Sequence, residues 1–255
     1  IGTVTNPGRF IIVDISNPTS PTRIGGLTLN VGEDIVTSVV VSGNYAYLAV
    51  NTGKMIVVNV SNPASPVRTG EVMTGEYNEI IISGNYVYGS TLDVVNPSVV
   101  QVIDVSNSAS PTIVGSVTLA AGEINSKSLA KSGNYVYVTV TTSPGRVVVV
   151  DVSNPTNPIR VGAAVLNSGE NDLRGSDVSG NHVYAVTLST PAQLVSVDVS
   201  NPTIPFRAGV ISIPEGSGRS VTAIGRYVYV TVDNASGVPA KLIIFDVINP
   251  ASPIR

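Results

Sequence analysis

The sequence predicts an all-β fold built from short antiparallel strands, and three observations carry that prediction. The 255 residues are 43% hydrophobic with Val and Ile prominent, a composition that favours strands over helices. The 24 Gly and 17 Pro residues are spread along the chain as turn signals and do not form a low-complexity block. A helical spacing of apolar residues occurs nowhere. We therefore expect many short strands, each ended by a turn.

One five-residue phrase, Asp-x-Ser-Asn-Pro, recurs six times along the chain, with one substitution in each of three copies, and sets its period. Its six copies begin at Asp14, Asn59, Asp104, Asp151, Asp198 and Asp246, which gives steps of 45, 45, 47, 47 and 48 residues. We expect the first side chain of each copy to close a turn against its own backbone. Catalysis needs one or two carboxylates in distinct environments, so this recurrence argues against a catalytic role.

Each period contains four predicted strands. In the second period they are Ile35–Val41, Tyr45–Val50, Met55–Val60 and Arg68–Met73. A hairpin turn at Ser42-Gly43-Asn44 joins the first two, since Gly and Asn tolerate positive φ. Four short strands in about 40 to 50 residues are typical of one blade of a β-propeller.

Several stretches resemble the LVIVD repeat, which is named after a Leu-Val-Ile-Val-Asp strand. They are Phe10–Pro18, Val147–Pro155 and Leu242–Val247. The phrase Gly-Asn-Tyr-x-Tyr, similar to the companion motif of that repeat, starts at Gly43, Gly84 and Gly133. The resemblance covers essentially the whole chain. It implies a β-propeller from a bacterial or archaeal protein that is exposed at the cell surface or secreted, and it implies no catalytic residues because the shared motif is structural.

The repeats predict one β-propeller domain over residues 1–255, with six four-stranded blades of which the terminal two are incomplete; five or seven blades are the alternatives. Asn6 corresponds to Asn51, so Ile1 begins inside the second strand of the first blade. Arg255 lies where the outermost strand of the last blade should begin. Either the terminal blades are trimmed, or flanking chain is not included.

A third interpretation is a filament in which the first residues of one subunit lie along the last blade of the next. Under that hypothesis the subunit contacts are Ile1, Gly2, Thr3, Val4, Thr5 and Arg255.

Two series of charged residues follow the repeat. A glutamate beside a glycine recurs at Glu33, Glu76, Glu123, Glu170 and, less well aligned, Glu215. An arginine follows the second proline of the turn at Arg23, Arg68, Arg160, Arg207 and Arg255, with Ile113 in the remaining copy. We expect the arginines to pair with carboxylates between blades, and the glutamates to pair with Lys or Arg at the surface. The competing hypothesis is a calcium site at Glu33, Glu76, Glu123 and Glu170.

Composition and charge exclude or disfavour several classes of function. With 17 acidic and 14 basic residues the net charge is -3, which disfavours nucleic acid as a partner. The chain has no Cys, and its one His, His182, is expected to be a packing residue. No apolar run approaches the roughly 18 to 20 residues of a transmembrane segment. Asn59 and Asn234 lie in glycosylation sequons.

The loops that follow the second strands vary in sequence, and binding usually involves variable loops on a rigid scaffold. They are Asn51–Gly53, Ser90–Ser98, Thr141–Gly145, Ser189–Pro191 and Asp233–Ala240. We expect a non-enzymatic, extracellular structural or adhesive protein of a cell surface, surface layer or filament. Its partners would be identical subunits or other surface proteins and glycans, and it would need no cofactor unless the calcium site forms. The alternative is a module that binds a glycan, a peptide or a metal through these loops.

Overall fold

The computed structural model describes residues 1–233 and 239–255. Within them every regular element is a β-strand, as the composition predicts. The strands form six antiparallel sheets, and in each sheet strands that follow one another in sequence are also neighbours in space. This meander follows from the short turns that join the strands.

The strand bounds define the six sheets. The first sheet contains β1 (Arg9–Asp14) and β2 (Thr22–Thr28). The second contains β3 (Val36–Ser42), β4 (Tyr45–Val50), β5 (Lys54–Asn59) and β6 (Val67–Met73). The third contains β7 (Tyr77–Ser83), β8 (Tyr86–Thr91), β9 (Val99–Asp104) and β10 (Thr112–Thr118). The fourth contains β11 (Ser126–Ser132), β12 (Tyr135–Val140), β13 (Arg146–Asp151) and β14 (Ile159–Val165). The fifth contains β15 (Leu173–Ser179), β16 (His182–Thr187), β17 (Ala192–Asp198) and β18 (Phe206–Ile213). The sixth contains β19 (Ser217–Ile224), β20 (Tyr227–Asp233) and β21 (Lys241–Asp246).

The strands of the second sheet lie close to their predicted positions. No bound of β3 to β6 differs from its predicted position by more than one residue. The predicted hairpin turn is present, and Gly43 adopts a φ of +54°, which a residue with a Cβ rarely adopts. The turn glycines Gly84, Gly133, Gly180 and Gly225 have φ values between +53° and +59°. The phrase that begins at each of these glycines is therefore a turn signal.

The residues group into two compact units by their internal contacts. Unit 1 comprises Ile1–Leu92 and Val100–Ser116, and unit 2 comprises Asp93–Val99 and Val117–Arg255. Within each unit, apolar side chains of adjacent sheets meet in a shared core. In unit 2, for example, Val147 and Val149 of β13 pack with Val183 and Ala185 of β16. In β5 and β13, burial on both faces explains why the third strand of the repeat reads as an unbroken apolar run.

Residues 1–5 make backbone hydrogen bonds to β1 and to the residues at the start of β3. The backbone N–H of Ile11 donates to the carbonyl of Ile1 at 2.9 Å, and that of Thr3 donates to Arg9 at 3.0 Å. On the other side, the N–H of Val36 donates to the carbonyl of Thr3 at 3.2 Å. These bonds place Ile1 and Thr3 beside β1, and the prediction that Ile1 begins inside the second strand of the first blade stays a prediction.

Candidate functional site

The side chain that opens each repeated phrase closes a turn, as predicted. In all six copies its Oδ1 accepts the backbone N–H of the residue two positions later, at 2.8 to 2.9 Å. The asparagine three positions further on accepts a backbone N–H in the same way, at 3.2 Å. These two successive turns satisfy backbone donors where the third strand ends. The recurring carboxylates therefore have a structural role, which is to stabilise the turns after the third strands.

A buried glutamate and an outer-strand arginine form the second recurring structure. In unit 2, the Nε of Arg160 on β14 lies 2.7 Å from Oε2 of Glu123, which precedes β11. The same carboxylate accepts the backbone N–H of Ala120 at 2.8 Å. Arg146 lies 3.8 Å away and adds a further positive charge. The pair thus ties the loop that enters a sheet to the outermost strand of that sheet.

The same pair recurs in other sheets. Arg68 donates to Glu33 through Nη1 at 2.8 Å and Nη2 at 3.0 Å. In unit 2, Arg207 contacts Glu170 through Nε at 2.7 Å, and Arg255 is ion-paired with Glu215. The arginines do pair with carboxylates at these positions, but each pair joins the loop before a sheet to the outer strand of that same sheet, so the expectation of a pair between blades was wrong. Our expectation of a surface location was wrong, because Glu33 and Glu170 are 3% exposed and Glu123 is 0% exposed.

Burial and the arginines act in opposite directions on the pKa of these carboxyl groups. Burial raises the pKa of Glu33, but Arg68, the N–H of Asn30 and Lys54 together hold it below its ordinary value. Burial likewise raises the pKa of Glu123, and Arg160 with the N–H of Ala120 outweighs it. The bond to Glu123 raises the pKa of Arg160 in turn. Both carboxyl groups are therefore ionised at neutral pH.

Glu76 does not belong to this series, contrary to our alignment. Its backbone carbonyl accepts the N–H of Leu92, and the carbonyls of Asn125 and Asp172 make the matching bonds in their sheets. Asn125 and Asp172 each stand two residues after a buried glutamate, so Glu76 is displaced by two positions. It is exposed. The arginine of that repeat is replaced by Ile113, which leaves no guanidinium to receive a buried carboxylate there.

The described residues form no cluster of side chains that would support the calcium hypothesis. Among the residues that the structure describes, no three His, Cys, Asp or Glu side chains come together as a metal site. Glu33, Glu123 and Glu170 instead direct their carboxylates to arginines. A calcium site at these residues stays a prediction.

A glycine two residues after the arginine makes a recurring contact that we did not predict. A Cβ on Gly162 of β14 would meet the carbonyl oxygen of Pro202 and would lie 2.9 Å from Cδ of Pro205 in the next sheet. In the same way, a Cβ on Gly209 would lie 2.6 Å from the carbonyl oxygen of Pro250. The Asn-Pro turn of the following sheet thus packs directly against the outer strand at a glycine, where a side chain would overlap with the turn. The signal was available as the recurring spacing Pro-x-Arg-x-Gly.

Two other predicted residues, His182 and Asn59, have defined places. His182 is half-buried beside Tyr184, with ring centroids 6.3 Å apart, and burial lowers its pKa although Asp198 opposes this. The Oδ1 of Asn59 accepts the N–H of Ser61 in the turn described above. Asn234 lies outside the described residues. Glycosylation of Asn59 and Asn234 stays a prediction.

The subunit contacts proposed for residues 1–5 and Arg255 also stay a prediction. The backbone groups of Ile1 and Thr3 are bonded within the chain, and Arg255 pairs with Glu215. A strand exchange between subunits would have to break those bonds.

The variable loops that the structure describes lie between the second and third strands of their sheets, and most of Asp233–Ala240 lies outside the described residues. The longest that is fully described spans residues 92–98, and it is held by the carboxylate of Asp93. That carboxylate accepts the N–H of Val95 at 2.8 Å and that of Asn96 at 2.7 Å, which lowers the pKa of Asp93. Val94 and Val95 are 63% and 79% exposed. A fixed turn therefore presents two adjacent apolar side chains to solvent.

Repeated antiparallel meanders that pack face to face, with structural polar residues at every turn, define an all-β protein of propeller type. The chain belongs to the LVIVD repeat family, whose profile matches residues 4–28, 35–74, 75–119, 125–164, 176–210 and 215–255. Six blades remain a prediction. No curated protein matches the chain.

Solved structures of low sequence identity share the fold. The computationally designed protein Ika8 superposes with a TM-score of 0.63 at 12% identity, over 92% of this chain and 64% of Ika8. Sqt1 from Chaetomium thermophilum has a TM-score of 0.68 at 17% identity, over 98% of this chain and 65% of Sqt1. A Bacteroides uniformis protein provisionally named a 6-phosphogluconolactonase has a TM-score of 0.71 at 13% identity, over 92% of this chain and 73% of its own. The chain thus spans about two thirds of the length of the first two, and the likeness is one of fold alone.

The described residues include no helix that is long and apolar enough to span a lipid bilayer.

Proposed function

We propose that this chain is a non-enzymatic module of an extracellular structural or adhesive protein, and that it contacts its partners through the loops between second and third strands. The exposed pair Val94 and Val95 carries the proposal. Apolar side chains fixed in solvent by a hydrogen-bonded turn suit contact with a partner surface, since burying them there is favourable and costs little loop entropy.

The use of the recurring polar groups supports a scaffold over an enzyme. The aspartates of the repeated phrase are engaged with backbone N–H groups, and the buried glutamates are engaged with arginines. General acid–base catalysis requires a carboxyl group that can exchange a proton near neutral pH. The pKa values of Glu33 and Glu123 are lowered instead, which suits a permanent ion pair.

An adhesion assay tests the proposal. Beads coated with the full chain should adhere to intact cells of the source organism, and antibodies against the chain should label those cells without permeabilisation. The double variant Val94→Asp/Val95→Asp should lose most of the adhesion, because two charges replace the apolar contact. Ile204→Asp is the matched control, since Ile204 is also an exposed apolar residue but lies in the turn between β17 and β18.

Labelling only after permeabilisation would show that the protein is not extracellular. Equal adhesion by the double variant and the wild type would show that residues 92–98 are not the contact. Electron microscopy of the native material separates the two structural roles, because a filament component forms continuous fibres and an adhesive module forms separate particles.

A further inference from the structure

Neighbouring sheets stack through the two faces of their third strands. The residues four and two positions before the first residue of the repeated phrase lie on one face of the strand, which we call the forward face. The residues three and one positions before it, and the residue after it, lie on the opposite face, which we call the rear face. In unit 2, a forward face and a rear face meet in one core, whose members include Val147 and Val149 of β13 and Val195, Val197 and Val199 on or beside β17.

The same combination of faces recurs at other contacts within the units. In unit 2, Leu194 on the forward face of β17 packs with Ile243 and Phe245 on the rear face of β21. In unit 1, Met55 on the forward face of β5 packs with Ile103 on the rear face of β9. At these contacts, the forward face of one sheet is thus covered by the rear face of the next sheet in sequence.

The forward face of the sixth sheet is exposed. Leu242 and Ile244 of β21 occupy its two positions and are 63% and 48% exposed. The equivalent residues of β17, Leu194 and Ser196, are both 0% exposed. At two positions that are buried in the fifth sheet, the sixth sheet therefore presents large apolar side chains to solvent, which is unfavourable unless another surface covers them.

The rear face of the first sheet is exposed in the complementary way. Ile15, which follows the first residue of its copy of the phrase, is 72% exposed. Together with Ile1, Ile11 and Val13 it lines an apolar groove of about 400 Å³. The residues at the same position in three other copies, which are only 4% to 6% exposed, are Val105, Val199 and Val247. The first sheet thus leaves open a rear-face position that is buried in other sheets.

We propose that the forward face of the sixth sheet binds the rear face of the first sheet in a second copy of this chain. The contact continues between copies the same stacking of forward face on rear face that joins sheets within each unit. The exposed fractions hold with residues 1–233 and 239–255 all present, so a surface from outside these residues has to cover both faces. A second copy is the partner that fits, because each copy carries both halves of the contact.

The proposed association is head-to-tail. A forward face meets a rear face, so the two surfaces in contact differ, and each bound copy still offers one face of each kind to a further copy. Oligomers should therefore grow with concentration until the assembly closes or continues as a fibre. The contact uses residues other than 92–98, so it goes beyond the adhesive role proposed above and does not depend on it.

Sedimentation velocity of the purified full chain, measured over a wide range of concentration, tests the proposal. We expect the weight-average mass to rise with concentration through dimers to larger species. A chain that stays monomeric at the highest concentration would overturn the proposal, because a second copy would then not be what covers the two faces.

Two variants disable one face each. Ile15→Asp places a charge on the rear face, and the double variant Leu242→Asp/Ile244→Asp places two charges on the forward face. Each should weaken self-association at least about tenfold, since a charge would be buried against apolar side chains. Ile204→Asp is the matched control, because Ile204 is 70% exposed and also lies in a turn after a third strand. Equal weakening in the control would show non-specific apolar association and overturn the proposal.

An equimolar mixture of the two disabled variants gives the most specific readout. Ile15→Asp keeps its forward face and the double variant keeps its rear face, so the mixture should form a heterodimer although neither variant associates alone. A mixture of folded variants that stays monomeric would contradict the head-to-tail contact, and circular dichroism establishes that both variants are folded. The concentration dependence of the wild-type chain decides the proposal even if a variant fails to fold.

Discussion

Arg160 and Glu123 are 37 residues apart in sequence, yet the Nε of one lies 2.7 Å from the carboxylate of the other. The carboxylate is buried, whereas the side chain of Arg160 is 28% exposed. The arginine therefore bridges solvent and the interior, and it balances a charge that burial alone would disfavour. Because the pair joins the loop before β11 to β14, it fixes the entry and the outer edge of one sheet relative to each other.

Replacing Glu123 by Gln should destabilise the protein by about 3 kcal/mol, because it leaves the guanidinium without its buried counter-charge. The measurement is urea unfolding at pH 7. Glu76→Gln is the control, since Glu76 is exposed and at the entry to β7, and it should change stability by less than about 0.5 kcal/mol. Similar losses in the two variants would contradict the structural role of the pair.

Stability should fall on acidification, and Glu123 should account for part of that fall. The pKa of Glu123 is lowered from 4.5 in the folded chain, so its contribution is complete above 4.5 and disappears as the pH drops through the lowered value. Unfolding of the wild type and of Glu123→Gln should be followed between about pH 7 and pH 3. We expect the difference between them to shrink at low pH, since a protonated glutamic acid resembles glutamine. If the stability difference between the wild type and Glu123→Gln stayed constant with pH, the charge of Glu123 would not be what stabilises the folded state.

Gly162→Ala should destabilise unit 2 by about 2 kcal/mol through steric overlap with the turn at Pro202 and Pro205. Gly122→Ala provides a comparison, because Gly122 has a φ of +80° but open space around it. That variant should lose about 1 kcal/mol from backbone conformation alone. Thermal unfolding of both variants separates the two causes. A smaller loss in Gly162→Ala than in Gly122→Ala would mean that the two sheets can move apart at this contact.

The turn after β13 should tolerate asparagine but not alanine. Asp151 accepts the N–H of Ser153 at 2.8 Å, and Asn59 makes the equivalent bond at 2.9 Å in its own repeat. Asp151→Asn should therefore be nearly neutral, whereas Asp151→Ala should cost about 1 kcal/mol. Denaturant unfolding of the two variants gives the comparison. A large loss in the asparagine variant would show that the charge, and not the hydrogen bond, matters at this position.

The strands and turns could be predicted from the sequence because their causes are local. The bounds of β3 to β6, the positive φ of Gly43 and the turn at Asp14 each depend on residues within one repeat, and six copies repeat the same signal. The site was predicted less well. Glu76 was aligned by its neighbouring glycine, although its backbone bond to Leu92 places it two residues further along.

The sequence by itself determined that this protein is all-β, repeated about every 46 residues and closed by Asx turns at each third strand. Only the tertiary structure decided that Glu33, Glu123 and Glu170 are buried and that Gly162 packs against a neighbouring turn. The reason is physical: turn chemistry is set by a few consecutive residues, whereas burial and close packing depend on contacts between residues about 40 positions apart, which no local pattern specifies.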